Sequence, residues 1–254
     1  MSIAGSDSGG GAGIQADLKA FAAAGVFGTC AIVALTAQNT VGVTSVHRVP
    51  PGFVVAQLEA VFSDIGVDAA KTGMLFSRTV IDAVAGYLEG HGVPLVVDPV
   101  VVASSGAKLL EDDAASALVE RLFPLATVVT PNLAEARYLT GGSTRLSKAR
   151  LAERLVSLGA PAALVTGGHG EPVDHLYDGR EHVEIRVERL DVPATHGAGC
   201  THSATLAALL ARGLPLVDAA RGAARAATDA VRHGLVGVGV GDGPVDVLHL
   251  KGAR

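Results

Sequence analysis

Short apolar runs alternate with helical segments along most of this chain, and the alternation limits the folds it can adopt. An unbroken apolar run is typical of a strand buried on both faces of a sheet. Strand–helix alternation predicts an α/β fold with a mostly parallel sheet and helices on both faces. The predicted strands are residues 28–36, 67–72, 95–101, 126–130 and 162–166. The predicted helices are residues 14–24, 51–63, 77–89, 112–123, 147–158, 200–212 and 217–233.

Two segments depart from this pattern. Residues 174–177 and 183–187 alternate between apolar and polar side chains, and Asp178-Gly179 lies between them. They predict a hairpin at an antiparallel edge of the sheet. No linker or change of composition divides the chain, so residues 1–254 are expected to form one domain.

Charge and composition exclude several kinds of partner. The formal net charge is −5, without the runs of Lys and Arg that contact nucleic-acid phosphates. No stretch approaches the ~20 apolar residues of a membrane span, and the N-terminus resembles no signal region. Cys30 and Cys200 are the two cysteines, too few for a disulfide scaffold. We therefore expect a cytoplasmic protein that contacts neither nucleic acid nor membrane.

The segment 195–203, Thr-His-Gly-Ala-Gly-Cys-Thr-His-Ser, begins as a break in structure and continues into a helix. Gly197 and Gly199 allow the backbone to approach a ligand closely. The free N–H groups of residues 197–200 would then lie at a helix N-terminus, which favours anions. We expect the same field to lower the pKa of the Cys200 thiol. The alternative is a ligand-free turn with a buried cysteine.

Polar residues follow several of the predicted strands, where α/β folds place ligands. A glycine loop at 9–13 follows the first strand, but it has neither the Walker A nor the dinucleotide-binding spacing. Gln38 offers a donor and an acceptor that suit an aminopyrimidine-like edge, or it is a loop amide facing water. Asp98 ends another strand, where an acid either binds a metal or phosphate or caps a turn.

Taken together, these motifs resemble the ribokinase-like superfamily, and within it the bacterial hydroxymethylpyrimidine/phosphomethylpyrimidine kinases. The resemblance implies a three-layer α/β/α fold, ATP as phosphate donor with Mg²⁺, and a homodimer. It also implies phosphorylation of 4-amino-5-hydroxymethyl-2-methylpyrimidine and then of its monophosphate. The matching segments occur in the family's order at 4–19, 37–40, 71–75, 98–100, 130–135, 167–169 and 195–201.

The resemblance also implies roles for individual residues. The anion hole for the transferred phosphate maps to Gly197, Ala198, Gly199 and Cys200, and Cys200 takes the place of the catalytic base. The pyrimidine is recognised by Gln38, in a pocket formed by Gly5, Ala12, Asp17, Met74 and Val101. The acids near the Mg-ATP phosphates are Asp98 and Glu135, with Asn132 beside them.

The sequence departs from the family pattern in three places. Thr166 stands where the family commonly has a lysine before Gly-Gly-His, so a charge that could hold ATP phosphates is missing. Ala198 replaces a common threonine, and the first strand is expected to be short. His169, His196 and His202 lack zinc-binding spacing, so loop or helix-cap roles are expected.

Two rival functions remain open at this point. A pyridoxal or pyridoxine kinase of the same superfamily would act on a similar flat ring with a hydroxymethyl group. A catalytically silent protein that senses the pyrimidine is the other, and the missing lysine favours it.

Overall fold

The computed structural model describes residues 1–101, 110–111, 113–142, 145–167 and 172–250. Within these ranges nine strands form one sheet in the order β3-β2-β1-β4-β5-β6-β7-β8-β9. The strands are β1 (Ser2–Asp7), β2 (Cys30–Gln38), β3 (Val43–Arg48), β4 (Ala70–Thr72), β5 (Leu95–Val97), β6 (Val128–Val129), β7 (Ala163–Val165), β8 (Val173–Tyr177) and β9 (His182–Arg186).

The centre of the sheet is parallel, as predicted. Parallel pairing joins β2, β1, β4, β5, β6 and β7. The predicted hairpin is confirmed as β8 and β9, which pair antiparallel to β7 and to each other. A second antiparallel edge, β3 on β2, was not predicted. Its sequence, VTSVHR, is polar and only partly buried, so it lacks the apolar run that marks the central strands.

Helices cover both faces of the sheet. They are α1 (Gly13–Ala23), α2 (Pro51–Asp64), α3 (Arg78–Leu88), α4 (Ala114–Ala117), α5 (Leu133–Leu139), α6 (Lys148–Ser157), α7 (Ala198–Ala211) and α8 (Leu216–Arg232). One core layer contains apolar residues of α2, α3, α4 and α6. The other contains those of α1, α7 and α8. The three-layer α/β/α prediction is therefore confirmed.

Most helix predictions hold within a residue or two. The predicted helix at 112–123 consists of α4, a π-helical turn (Leu118–Leu122) and a 3₁₀ turn (Phe123–Leu125). The short helix α5 was not predicted. The first strand, expected to be short, spans six residues. No described helix has the length and apolar character to cross a membrane.

The chain changes direction across the sheet at β1, because β2 lies on one side of it and β4 on the other. In open α/β sheets a ligand binds at the carboxyl ends of the strands beside such a switch point. The glycine loop after β1 and the segment before α7 both lie at this end.

Candidate active site

A cavity of about 410 Å³ opens at the carboxyl ends of the central strands. It brings together most of the residues assigned to the site from sequence. The lining contains Gly5, Ala12, Gln38, Met74, Asp98, Asn132, Glu135, Gly197, Ala198, Gly199 and Cys200. It also contains Asp7, Thr36, Lys71 and His196, to which the sequence analysis gave no role in the site, and Thr166, at the position of the family's lysine. A groove of about 570 Å³ between β9 and α8 is lined by none of the assigned residues.

The loop before α7 has the expected backbone geometry. Gly197 is the N-cap of α7 and has a left-handed φ of 87°. The N–H of Ala198 donates to the carbonyl of Thr195 at 3.1 Å, so one of the four expected anion donors is already used. Within the described part of the chain, the N–H groups of Gly199 and Cys200 have no backbone acceptor. They point from the first turn of a 14-residue helix, where an anion is favoured.

The two glycine loops are interlocked. A Cβ on Gly197 would overlap the carbonyl oxygen of Gly11, and a Cβ on Gly11 would overlap the ring of His196. Asp7 accepts from the N–H groups of Gly9, Gly11 and Ala12 at 2.7–3.0 Å. Because Gly11 and Gly197 have no side chains, two loops that are distant in sequence pack together and form one wall of the cavity.

The Cys200 thiol does not have the lowered pKa that the helix field predicts. Burial raises its pKa to about 12, although the positive charge of Lys71 acts in the opposite direction. Asp17 and Asp98 act in the same direction as burial. Desolvation of a thiolate outweighs the helix dipole, since the dipole supplies only a fraction of a charge.

Lys71 is the main residue that sequence reasoning missed. Its side chain is fully buried, and Nζ lies 3.1 Å from Oδ1 of Asp17 and 3.8 Å from Oδ2 of Asp98. Burial by itself lowers the pKa of Lys71, but Asp17, Cys200 and Asp98 raise it overall, so the ammonium stays charged. A lysine that ends an apolar strand run was the available signal, because a buried lysine is nearly always paired.

Asp17 and Val101 are not among the cavity-lining residues. Asp17 lies behind the wall, where it accepts from the hydroxyl of Ser2 at 2.5 Å and pairs with Lys71. The N–H of Val101 donates to Oε1 of Glu135 at 3.2 Å. Their roles toward the pyrimidine therefore stay predictions, and each contacts a residue that does line the cavity.

Asn132 and Glu135 form the capping box of α5. Oδ1 of Asn132 accepts from the N–H of Glu135, and Oε2 of Glu135 accepts from the N–H of Asn132. Burial and the nearby charge of Asp98 raise the pKa of Glu135 to about 7. Asp98 is itself buried and accepts from the hydroxyl of Ser203 at 2.7 Å. Two buried carboxylates that repel one another in a cavity suit a divalent cation.

Gln38 ends β2 and contacts two other lining residues. Its amide group lies 3.1 Å from Oγ1 of Thr36 and 3.4 Å from Nε2 of His196. Nε2 of His196 also lies 3.1 Å from Oδ2 of Asp7. His196 therefore contacts both Gln38 and Asp7 in the cavity, beyond the loop or helix-cap role expected from sequence.

Gly5 and Met74 account for the shape of the adjoining wall. A Cβ on Gly5 would overlap the methyl group of Met74, so glycine lets the Met74 side chain pack against β1. Thr166 lines the cavity where the family's lysine was expected, and it brings no charge. The Gly-Gly-His motif that follows begins with Gly167, and its residues 168 and 169 lie outside the described residues.

A mostly parallel sheet with a switch-point cavity, a glycine loop before a helix N-terminus and a buried acidic pair places the protein in the class of ribokinase-like kinases. The profile of the family described as Phosphomethylpyrimidine kinase matches residues 7–246. The chain therefore belongs to this family of phosphotransferases.

Individual relatives agree with this placement. The hydroxymethylpyrimidine/phosphomethylpyrimidine kinase of Rhizobium meliloti is 50% identical and covers 98% of this chain and 96% of its own. The phosphomethylpyrimidine kinase structure from Clostridium difficile is 38% identical with a TM-score of 0.80, over 91% of this chain and 97% of that one. The ADP complex of Bacillus subtilis pyridoxal kinase is also 38% identical, with a TM-score of 0.89 over 98% of both chains.

Proposed function

We propose that this protein transfers the γ-phosphate of ATP to the hydroxymethyl group of 4-amino-5-hydroxymethyl-2-methylpyrimidine, and then phosphorylates the monophosphate. One observation carries the proposal: Gln38 and the loop Gly197–Cys200 line the same cavity. Gln38 offers the donor and acceptor that an aminopyrimidine edge requires. The loop offers N–H groups to the phosphate being transferred.

The residues of the cavity have separable tasks in this reaction. Gly199 and Cys200 supply backbone N–H groups to the growing negative charge. Lys71 places a buried positive charge 3.8 Å from Oδ2 of Asp98. Cys200 is the candidate base that accepts the proton of the substrate hydroxyl. The hydroxyl must lose this proton during phosphoryl transfer.

Asp98 and Glu135 fit Mg²⁺, because both are buried oxygen donors that line the cavity. Bound there with the ATP phosphates, the ion would neutralise phosphate charge. Its arrival would also relieve the repulsion that raises the pKa of Glu135. Asn132, whose side chain caps α5, lies beside the expected phosphate position.

The decisive experiment incubates the purified protein with Mg-ATP and, separately, the hydroxymethylpyrimidine, its monophosphate and pyridoxal, and identifies products by mass. We expect a pyrimidine monophosphate and then a diphosphate. Phosphorylation of pyridoxal alone would transfer the assignment to the second candidate, a pyridoxal kinase, which the Bacillus subtilis structure favours. Ligand-induced thermal stabilisation without any product would support a sensing protein instead.

A further inference from the structure

Asp7 holds a carboxylate that can only accept hydrogen bonds. Burial raises its pKa, but the bond to His196 and the N–H groups of Gly9 and Ala12 outweigh burial and lower the pKa overall. Asp7 is therefore ionised. Because Nε2 of His196 lies 3.1 Å from Oδ2 of this carboxylate, Nε2 must carry a proton and donate.

The protonated Nε2 of His196 determines which end of the Gln38 amide can face it. As placed, the amide nitrogen of Gln38 lies 3.4 Å from Nε2 of His196, which sets two donors against each other. The two ends of an amide have nearly the same shape, so their partners assign them. An oxygen at this position would be a second acceptor for the Nε2 proton, which Asp7 and Gln38 would then share.

The contacts of Thr36, at the other end of the Gln38 amide, indicate the same orientation. Its single hydroxyl proton has the carbonyl of Ser6 as acceptor at 2.9 Å. The other end of the Gln38 amide lies 3.1 Å from the same hydroxyl oxygen. An amide nitrogen there would donate to Oγ1, whereas an amide oxygen would compete with Ser6 for one proton. The turned amide removes two conflicts, because no two donors then face each other and the Thr36 proton has the carbonyl of Ser6 as its one acceptor.

We propose that His196, held by Asp7, is a positioning residue that orients Gln38 with Oε1 toward His196 and Nε2 toward Thr36. This inference rests on the proposed function. The orientation of the Gln38 amide sets which ring atoms of the substrate can pair with its oxygen and its nitrogen. His196 is therefore a determinant of substrate choice.

The orientation matches the pyrimidine. Its reacting hydroxymethyl group is on C5, its amino group is on the adjacent C4, and ring nitrogen N3 follows. The hydroxymethyl group must face the loop Gly197–Cys200, and His196 directly precedes that loop. The amide oxygen of Gln38 therefore lies on the side of the amino group, which donates to it, and Nε2 donates to N3.

Pyridoxal has a hydrogen-bond acceptor at the position where the pyrimidine has its amino donor. The group next to its reacting hydroxymethyl carbon is an aldehyde, which only accepts hydrogen bonds. Turned as the network requires, the amide of Gln38 would set its oxygen against the aldehyde oxygen. The same network thus favours the aminopyrimidine over pyridoxal.

The test compares kcat and KM for the hydroxymethylpyrimidine and for 5-hydroxymethyl-2-methylpyrimidine, which lacks the amino group. The proteins are the wild type, His196→Leu, which removes the donor, and His196→Gln, which retains an N–H at similar reach. We expect the preference for the amino compound to fall about tenfold or more in His196→Leu, mainly through KM. His196→Gln should recover most of it.

Thr36→Val tests the other end of the network with a side chain of similar shape, and it decides the matter if His196→Leu does not fold. We expect it to reduce the preference as well. An unchanged preference in a folded His196→Leu or in Thr36→Val, with wild-type turnover intact, would overturn the positioning role alone. Failure of the wild type to phosphorylate either pyrimidine would overturn the proposed function and this inference together.

Discussion

At the scale of single residues, the Cys200 thiol experiences opposing influences on its pKa. Burial raises the pKa to about 12, while Lys71 acts to lower it. In the ligand-free protein the sulfur therefore keeps its proton at neutral pH. If Cys200 is the base, only its small thiolate fraction can accept the hydroxyl proton of the substrate.

This leads to a prediction about the pH dependence of turnover. The thiolate fraction of a group with so high a pKa rises about tenfold for each pH unit between 7 and 9. We expect kcat of the wild type to rise with this slope, measured by product formation at saturating substrates. Cys200→Ala should lower kcat by roughly 10²-fold and remove the slope. Parallel profiles for the two proteins would exclude Cys200 as the base.

The buried pair of Lys71 and Asp17 makes a stability prediction. Lys71→Met leaves the Asp17 carboxylate buried without its partner, which typically costs about 3–5 kcal/mol of unfolding free energy. Adding Asp17→Asn should restore part of this loss, because the uncompensated charge is gone. Urea unfolding of both single variants and the double variant measures the coupling. Purely additive losses would contradict a direct interaction.

Glu135 makes a prediction about stability against pH. Its pKa is raised to about 7, above its ordinary value of 4.5, so the folded state binds the proton more tightly than the unfolded chain does. Between these two values stability therefore falls as pH rises. The matched control is Glu135→Gln, which can still cap the N-terminus of α5. We expect the wild type to lose stability relative to this variant between pH 4.5 and 7, by chemical denaturation.

Magnesium should reduce this effect if it binds at Asp98 and Glu135. A bound cation favours the ionised carboxylates, so the pH dependence of the wild type should shift to lower pH in Mg-ATP. The same measurement on Glu135→Gln should show little change. An identical pH dependence with and without Mg-ATP would argue against a metal role for Glu135.

At the scale of elements, the loop between β9 and α7 depends on one glycine far more than on its neighbour. Gly197 has a left-handed φ of 87°, and a Cβ there would overlap the carbonyl of Gly11. A Cβ on Gly199 would meet nothing within 4 Å. We expect Gly197→Ala to cost about 1–3 kcal/mol or more of unfolding free energy, and Gly199→Ala about 0.5 kcal/mol or less.

Turnover should separate the two glycine variants in the same way. Gly197→Ala displaces both glycine loops and with them His196, so kcat/KM should fall together with stability. Similar melting temperatures and activities for the two variants would contradict the interlocked arrangement of the loops. The pair is matched because both positions lie at the N-terminus of α7.

At the scale of the whole molecule, the family resemblance predicts a homodimer. Leu35 on β2 is 44% exposed and Val41, between β2 and β3, is 64% exposed, so the sheet offers apolar surface next to its β3 edge. We expect a mass of about twice 25.5 kDa by light scattering. Leu35→Asp with Val41→Asp should halve it. Phe27, 84% exposed at the other end of β2, supplies the control Phe27→Asp, which should leave the mass unchanged.

The chain's order of apolar runs was sufficient to predict the layered fold and the central parallel sheet. Polar residues at strand ends were sufficient to predict where the cavity lies, because parallel strands bring their carboxyl ends to one edge. The edge strand β3 escaped prediction because a half-exposed strand has no continuous apolar run. The helix α5 was not predicted because its capping box, Asn132 and Glu135, lies within the segment 130–135, which was interpreted as part of the site.

What the sequence by itself determined was the set of elements and the segments that meet at the carboxyl edge, since both follow from local hydrophobic patterns and glycine content. Only the tertiary structure decided the chemistry of individual groups there. Lys71, Asp17 and Cys200 lie far apart in the chain, and their charges act on one another only because folding removes the water between them. The pKa of Cys200 and the partners of Gln38 are properties of that shared, desolvated space.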